Sequence, residues 1–265
     1  MNSPSQKNIK LIISYDGTHY FGWQKQKGQQ TIQGTIEDHI QRLTGEAGVK
    51  LIGSGRTDAG VHAVSQVANF TTESTIPVDR WAMILNNQLP GDIRVRYARQ
   101  VNPDFHARYD AKSRVYRYCI LNKAIHEEPF SCRNIFLRNY CYFFDQPLDM
   151  NRIKDTANYL IGFHDFSALS CINRKRGQSI ENNWRNIKSI IVKRKDWFII
   201  FTIEADSFLY KMVRMIIGTL IDFSMTKQNP GDIRKILENK NNQQSGKVIP
   251  PQGLYLMRVK YKTID

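Results

Sequence analysis

Gly53-Ser54-Gly55-Arg56-Thr57-Asp58-Ala59-Gly60-Val61-His62-Ala63 sets one acidic residue inside a glycine-rich turn between two apolar runs. The residues from Val49 to Ile52 lead in. From Val61 onward, Val61, Ala63, Ser65, Val67 and Asn69 alternate with His62, Val64, Gln66, Ala68 and Phe70, the two-residue period of a strand. Glycine admits positive φ, so three glycines predict a tight loop from which Arg56 and Asp58 project. Taken as a turn alone, the same residues give an Asp58 that caps its own backbone and an Arg56 in a surface pair of little weight.

Working outward, the β-branched run from Ile9 to Ser14 stops at Asp16-Gly17 and reads as a strand entering a turn. The loop from Gly17 to Gln30 mixes Tyr20, Phe21 and Trp23 with Lys25 and Lys27, which suits RNA contact and equally suits rings buried in a folded loop. Ile32, Ile36, Ile40 and Leu43 recur at helical spacing as far as Gly45. A second helix is expected from near Pro77 to Pro90-Gly91, carrying Trp81, Ile84 and Leu85, and then a strand through Ile93, Val95 and Tyr97. Strand, helix, strand, strand, helix, strand is the ferredoxin-like plan.

A comparable order recurs downstream. A strand from Arg114 to Leu121 is followed by a helix marked by Ile153, Ala157, Leu160 and Ile161 and ending at Gly162. Strands follow from Ile187 to Val192 and from Trp197 to Ile203, then a long helix from about Phe208 to Phe223, a short one from Asp232 to Leu237, and a last strand from Leu254 to Tyr261. The fold class is therefore α+β: two similar halves, 1–108 and 109–265, sharing an extended antiparallel sheet with flanking helices and a central cleft. The polar, basic pieces between Asn122 and Asp149 and between Asn173 and Asn186 read as loops.

With 265 residues, 41% of them hydrophobic, the chain can bury a sizeable core. A net charge of +14 and 11% aromatic content point to a polyanionic partner, nucleic acid first. The basic residues are scattered and form no polybasic run beside an amphipathic helix, which disfavours a membrane surface. No apolar run approaches the ~20 residues of a membrane span, and Met1 to Lys10 lacks a secretory core, so the cytoplasm is expected. Cys119, Cys132, Cys141 and Cys171 show no Cys-x-x-Cys pair and read as reduced and structural, without metal.

The run from Gly53 to Ala63 resembles the signature of the tRNA pseudouridine synthase A family. Five further blocks follow the family's order: Ser14-Tyr15-Asp16-Gly17-Thr18 with Phe21-Gly22-Trp23-Gln24, Phe105-His106-Ala107-Arg108-Tyr109, Arg114-Val115-Tyr116-Arg117-Tyr118, Met212-Val213-Arg214 and Gly253-Leu254-Tyr255-Leu256. Together they cover nearly the whole chain. The resemblance implies isomerisation of uridine to pseudouridine at positions 38, 39 and 40 of the tRNA anticodon stem-loop, on a nucleotide flipped out of its stack. It implies covalent catalysis by Asp58 at the uracil ring or the ribose, without a cofactor or metal, and a homodimer. It makes Tyr116 the active-site tyrosine and Arg56 the residue that steers the base or fills its place.

An Asp serves as nucleophile if it keeps its charge in a partly dry site, where desolvation raises its pKa above ~3.9 and a nearby Arg opposes the rise. Arg56 is one such Arg. Arg214, at the edge of the stripe of Phe208, Met212, Met215 and Ile216, is another, unless it is an ordinary surface Arg. Arg174, Lys175 and Arg176 are candidates for gripping RNA. Tyr116 can stack on a base, or sit with Tyr118 and Ile120 in the core, which is the reading preferred for Tyr118. His62 and His106 either satisfy backbone groups or touch phosphate, and Asp16 reads as a turn cap. The rival readings are an RNA-binding protein without chemistry and a metal-dependent phosphohydrolase built on His164-Asp165 or on Asp58 with His62.

Overall fold

In the computed structural model, residues 6–122, 135–171, 183–226, 228–239 and 245–262 are described. In chain order the main elements are β1 (Lys7–Tyr15), α1 (Ile32–Thr44), β2 (Ile52–Gly53), β3 (His62–Thr72), α2 (Trp81–Gln88), β4 (Ile93–Val101), β5 (Ala111–Asn122), β6 (Tyr142–Phe144), α3 (Met150–Asn158), β7 (Gly162–Asp165), β8 (Trp184–Lys195), β9 (Phe198–Ala205), α4 (Met212–Met225), α5 (Ile233–Asn239) and β10 (Leu254–Tyr261). They fall into two compact units, one ending at Lys112 and resumed from Tyr255, the other Ser113–Leu254.

In the first unit β1 is central because its period of two turns Ile9, Leu11 and Ile13 into one fully buried row. It runs antiparallel to β3 and β4, so that Ile12 faces Val67 on one side and Tyr97 on the other. The far edge of β3 is shared: β2 pairs antiparallel with Asn69 and Ala68, and β10 pairs parallel with His62 and Ala63. The order β4-β1-β3-β2 is that of the ferredoxin-like plan. Helix α1 starts at Thr31, whose hydroxyl accepts the Gly34 N–H, and stops at Gly45 in the left-handed conformation (φ 71°). Its Ile32, Ile36 and Ile40 are fully buried. The expected second helix opens as a 3-10 turn, Val78–Arg80, before α2, whose Trp81 meets the Phe70 ring edge-on at 5.1 Å.

In the second unit β5 pairs antiparallel with β9, β9 with β8, and β8 with the edge strand β7. Tyr118, Phe201 and Val192 form one row of its buried face. Helices α3 and α4 pack together, with the Arg152 guanidinium donating to the Phe223 carbonyl at 2.8 Å.

Three expectations need correction. The piece between Asn122 and Asp149 is not all loop, because Tyr142, Phe143 and Phe144 extend the sheet as β6, parallel to β5. Helix α4 begins four residues later than expected. Phe208 is used as an edge-on partner of Tyr116 at 5.2 Å, the Leu209 N–H points to the Met212 sulfur, and Lys211 takes a left-handed φ of 59° that no α-helix continues. Helix α3 stops at Asn158; Tyr159, Leu160 and Ile161 bond three residues back, and Gly162 (φ 111°) opens β7, a strand without a periodic signal.

Candidate active site

Asp58 lies on the loop between β2 and β3, and the residues around it are braced from below. At the end of β1, the Tyr15 hydroxyl and the buried Thr57 hydroxyl share a hydrogen bond of 2.8 Å. The Trp23 N–H donates to the Thr57 carbonyl at 3.1 Å. Gly22 permits this approach: it has φ 81°, and a Cβ there would stand 2.4 Å from the Thr57 carbonyl oxygen. On the other flank the Ser54 hydroxyl donates to Gln66 at 2.6 Å, and the fully buried Gln66 returns a bond to the Gly55 carbonyl at 2.9 Å. The Val61 N–H closes the turn onto the Asp58 carbonyl at 3.1 Å.

The result is a half-buried Asp58 beside an exposed Arg56 on a backbone tied to three other segments. The glycines act differently from the expectation. Of Gly53, Gly55 and Gly60, only Gly60 has positive φ (76°), whereas Gly53 is small because the Trp23 indole lies against it. Of the Gly17–Gln30 rings, Tyr20 and Trp23 are core, as the buried-ring reading has it, and Phe21 is exposed.

Asp16 caps its turn, accepting from the Thr18 N–H at 2.9 Å. His62 is buried; its Nδ1 lies 3.1 Å from both the Gly17 N–H and the Asp16 carboxylate, and its ring stacks on Tyr255. His106 Nδ1 accepts the N–H groups of Arg108 and Tyr109, so the backbone-satisfying alternative describes it.

Tyr116 and Arg214 belong to the second unit. Tyr116 is buried with 8% exposure, its ring against Phe208. Arg214 sits in the first turn of α4, a helix buried on nearly every face, and is 9% exposed. It is therefore no ordinary surface Arg: its Nε donates to the Ile249 carbonyl at 2.7 Å, one residue before the Pro250 carbonyl that receives the Tyr118 hydroxyl, also at 2.7 Å. Tyr118 is fully buried core, and burial pushes its hydroxyl pKa up. Arg174, Lys175 and Arg176 lie outside the described residues.

His164 and Asp165, the motif of the phosphohydrolase reading, are used locally. The His164 ring is 3.1 Å from the Ile161 carbonyl, and Asp165 accepts from the N–H and hydroxyl of Ser167. Among the described residues no helix is long and apolar enough to cross a membrane.

A half-buried carboxylate on a braced loop beside a ferredoxin-like sheet belongs here to a protein of the α+β class. The family model described as tRNA pseudouridine synthase matches residues 11–110 and 156–262. The tRNA pseudouridine synthases A of Acetivibrio thermocellus and Caldicellulosiruptor bescii are each 44% identical over 255 residues, 96% of this chain and 100% of each relative. That of Brevibacillus brevis is 38% identical over the same spans. The chain belongs to the tRNA pseudouridine synthase A family of isomerases.

Sequence reading did not single out Gln24, Gln33 or Thr57 for any role. The signal was present in Gln33 and Glu37, two polar residues four apart beside the buried Ile32 and Ile36 of α1.

Proposed function

We propose that the chain isomerises uridine to pseudouridine at positions 38, 39 and 40 of the tRNA anticodon stem-loop, with Asp58 as the covalent catalyst. The observation that carries this reading is the bracing of the Asp58 loop through Thr57, Trp23 and Tyr15, which fixes the backbone that carries the carboxylate. Asp58 adds to the flipped nucleotide, the C1′–N1 bond breaks, and C1′ joins C5. The C5 hydrogen leaves as a proton, the N1 freed from the sugar takes one up, and Asp58 is released, so atoms and electrons balance with no redox partner. Arg56 steers the base or fills the vacated stack. Tyr116 contacts the uracil, Arg214 is a further catalytic residue, and Arg174, Lys175 and Arg176 hold RNA phosphates. In this reading residues 1–108 carry the catalytic loop and 109–265 the remaining substrate contacts, in a cytoplasmic homodimer.

The test is tritium release from tRNA transcripts labelled at uridine C5, in chelating buffer, with wild type and Asp58→Ala. Release by wild type alone supports the reading. Wild type that binds tRNA and releases nothing across a panel of transcripts overturns it in favour of RNA binding without chemistry. Light scattering at micromolar concentration tests the dimer.

A further inference from the structure

Arg56 is exposed, yet it is held at its inner end by a chain of amides that begins inside α1. Its Nε donates to the Gln24 side-chain carbonyl at 3.2 Å. The Gln24 amide nitrogen donates to Gln33 Oε1 at 2.7 Å, and the Lys25 N–H reaches the same oxygen at 2.9 Å. Gln33 Nε2 in turn donates to Glu37 Oε1 at 2.8 Å and to the Leu51 carbonyl at 3.0 Å. The chain ends on Glu37, which is 4% exposed; its Oε1 also accepts the Leu51 N–H at 2.9 Å, and its Oε2 pairs with Lys25 Nζ at 3.3 Å.

The direction of this chain is fixed by valence. A carboxylate only accepts, so Glu37 requires the nitrogen side of the Gln33 amide, which aims the Gln33 oxygen outward. That oxygen requires the nitrogen side of Gln24, which aims the Gln24 oxygen at Arg56. Gln33 has two donors and two acceptor sites, and all four are filled. A fully satisfied buried network has one arrangement, whereas a flip of either amide would set like groups against each other. Backbone bonds tie the same segments together, because the first N–H groups of α1, at Ile32 and Gln33, donate to the carbonyls of Gly22 and Trp23.

We infer that Gln24 and Gln33 are positioning residues for Arg56: the relay from Glu37 holds the guanidinium by Nε and leaves both Nη groups to face the nucleotide. This rests on the role given to Arg56 above. Gln24 is half-buried and can be changed without opening the core. Gln24→Met removes both polar ends, while Gln24→Glu keeps the acceptor that Arg56 uses.

The measurement is the single-turnover rate of tritium release for these two variants, Arg56→Ala and the double variant Gln24→Met/Arg56→Ala, with tRNA affinity and melting temperature recorded for each. Gln24→Met should slow the step about tenfold with affinity within about twofold of wild type, and Gln24→Glu, which keeps the acceptor for Arg56 but sets a carboxylate oxygen against Gln33 Oε1, should recover only part of the rate. In the Arg56→Ala background Gln24→Met should add no further loss. A full-rate Gln24→Met, or an equal loss with and without Arg56, overturns the relay. If Arg56→Ala itself runs at the wild-type rate, the role of Arg56 falls, and the relay with it.

Discussion

Asp58 stands in a loop whose backbone is held by hydrogen bonds to Trp23 and Gln66 and by its own turn bond to Val61. Asp58→Ala is therefore expected to fold, to bind tRNA within about threefold of wild type and to release no measurable tritium, because a carboxylate contributes nothing to phosphate attraction. A protein that loses RNA binding along with turnover would show that Asp58 holds the loop. Cysteine makes a second prediction at this scale. Cys119, Cys141 and Cys171 are unpaired, and burial, with Cys119 adding to it, pushes the Cys141 thiol up to about 12. A raised thiol pKa means that the thiolate appears only well above neutrality, so at pH 8 Cys141 stays protonated and 1% exposed. Iodoacetamide at pH 8 followed by peptide mass mapping should leave Cys141 unlabelled in the folded protein and label it once the chain is unfolded.

At the scale of elements, one close backbone approach at the site is between the Gly22 turn and the Asp58 loop. Gly22→Ala would add a Cβ 2.4 Å from the Thr57 carbonyl oxygen at a φ of 81°, so either the turn or the loop must move. A loss of about 1–3 kcal/mol in chemical denaturation is expected, with a loss of turnover larger than Arg56→Ala causes. Unchanged stability would mean that the two loops part easily. Elements with a clear period were legible in the sequence. The row Ile9, Leu11 and Ile13 gave β1, and Ile32, Ile36 and Ile40 with Gly45 gave α1 and its stop. Elements defined by a distant partner were not legible. Tyr142, Phe143 and Phe144 become a strand because β5 offers an edge, and Phe208 leaves the expected helix for the face of Tyr116. In the site, the Asp58 loop could be read from glycine spacing, whereas the Gln33–Gln24 relay joins residues nine apart through amide orientation, which no periodicity encodes.

For the whole molecule the governing quantity is charge. A chain at +14 attracts any nucleic acid, so bulk affinity does not reveal which residues lie on the RNA; the salt dependence does. Each Lys or Arg that neutralises a phosphate releases counterions and steepens the fall of log K with log salt by roughly 0.7–0.9. If Arg174, Lys175 and Arg176 each hold a phosphate, their joint change to Ala should flatten the slope by about 2–3 and weaken binding most at low salt. Lys235→Ala is the control: its ammonium already pairs with Asp232 at 2.8 Å, which raises the Lys235 pKa, so its removal should lower net charge without altering the slope. Filter binding of one tRNA transcript from 50 to 300 mM salt separates the outcomes. A flatter slope in the triple variant alone assigns those residues to the RNA footprint. Parallel lines for all three proteins would leave the triplet as charge without contact, and the phosphates would have to be held elsewhere.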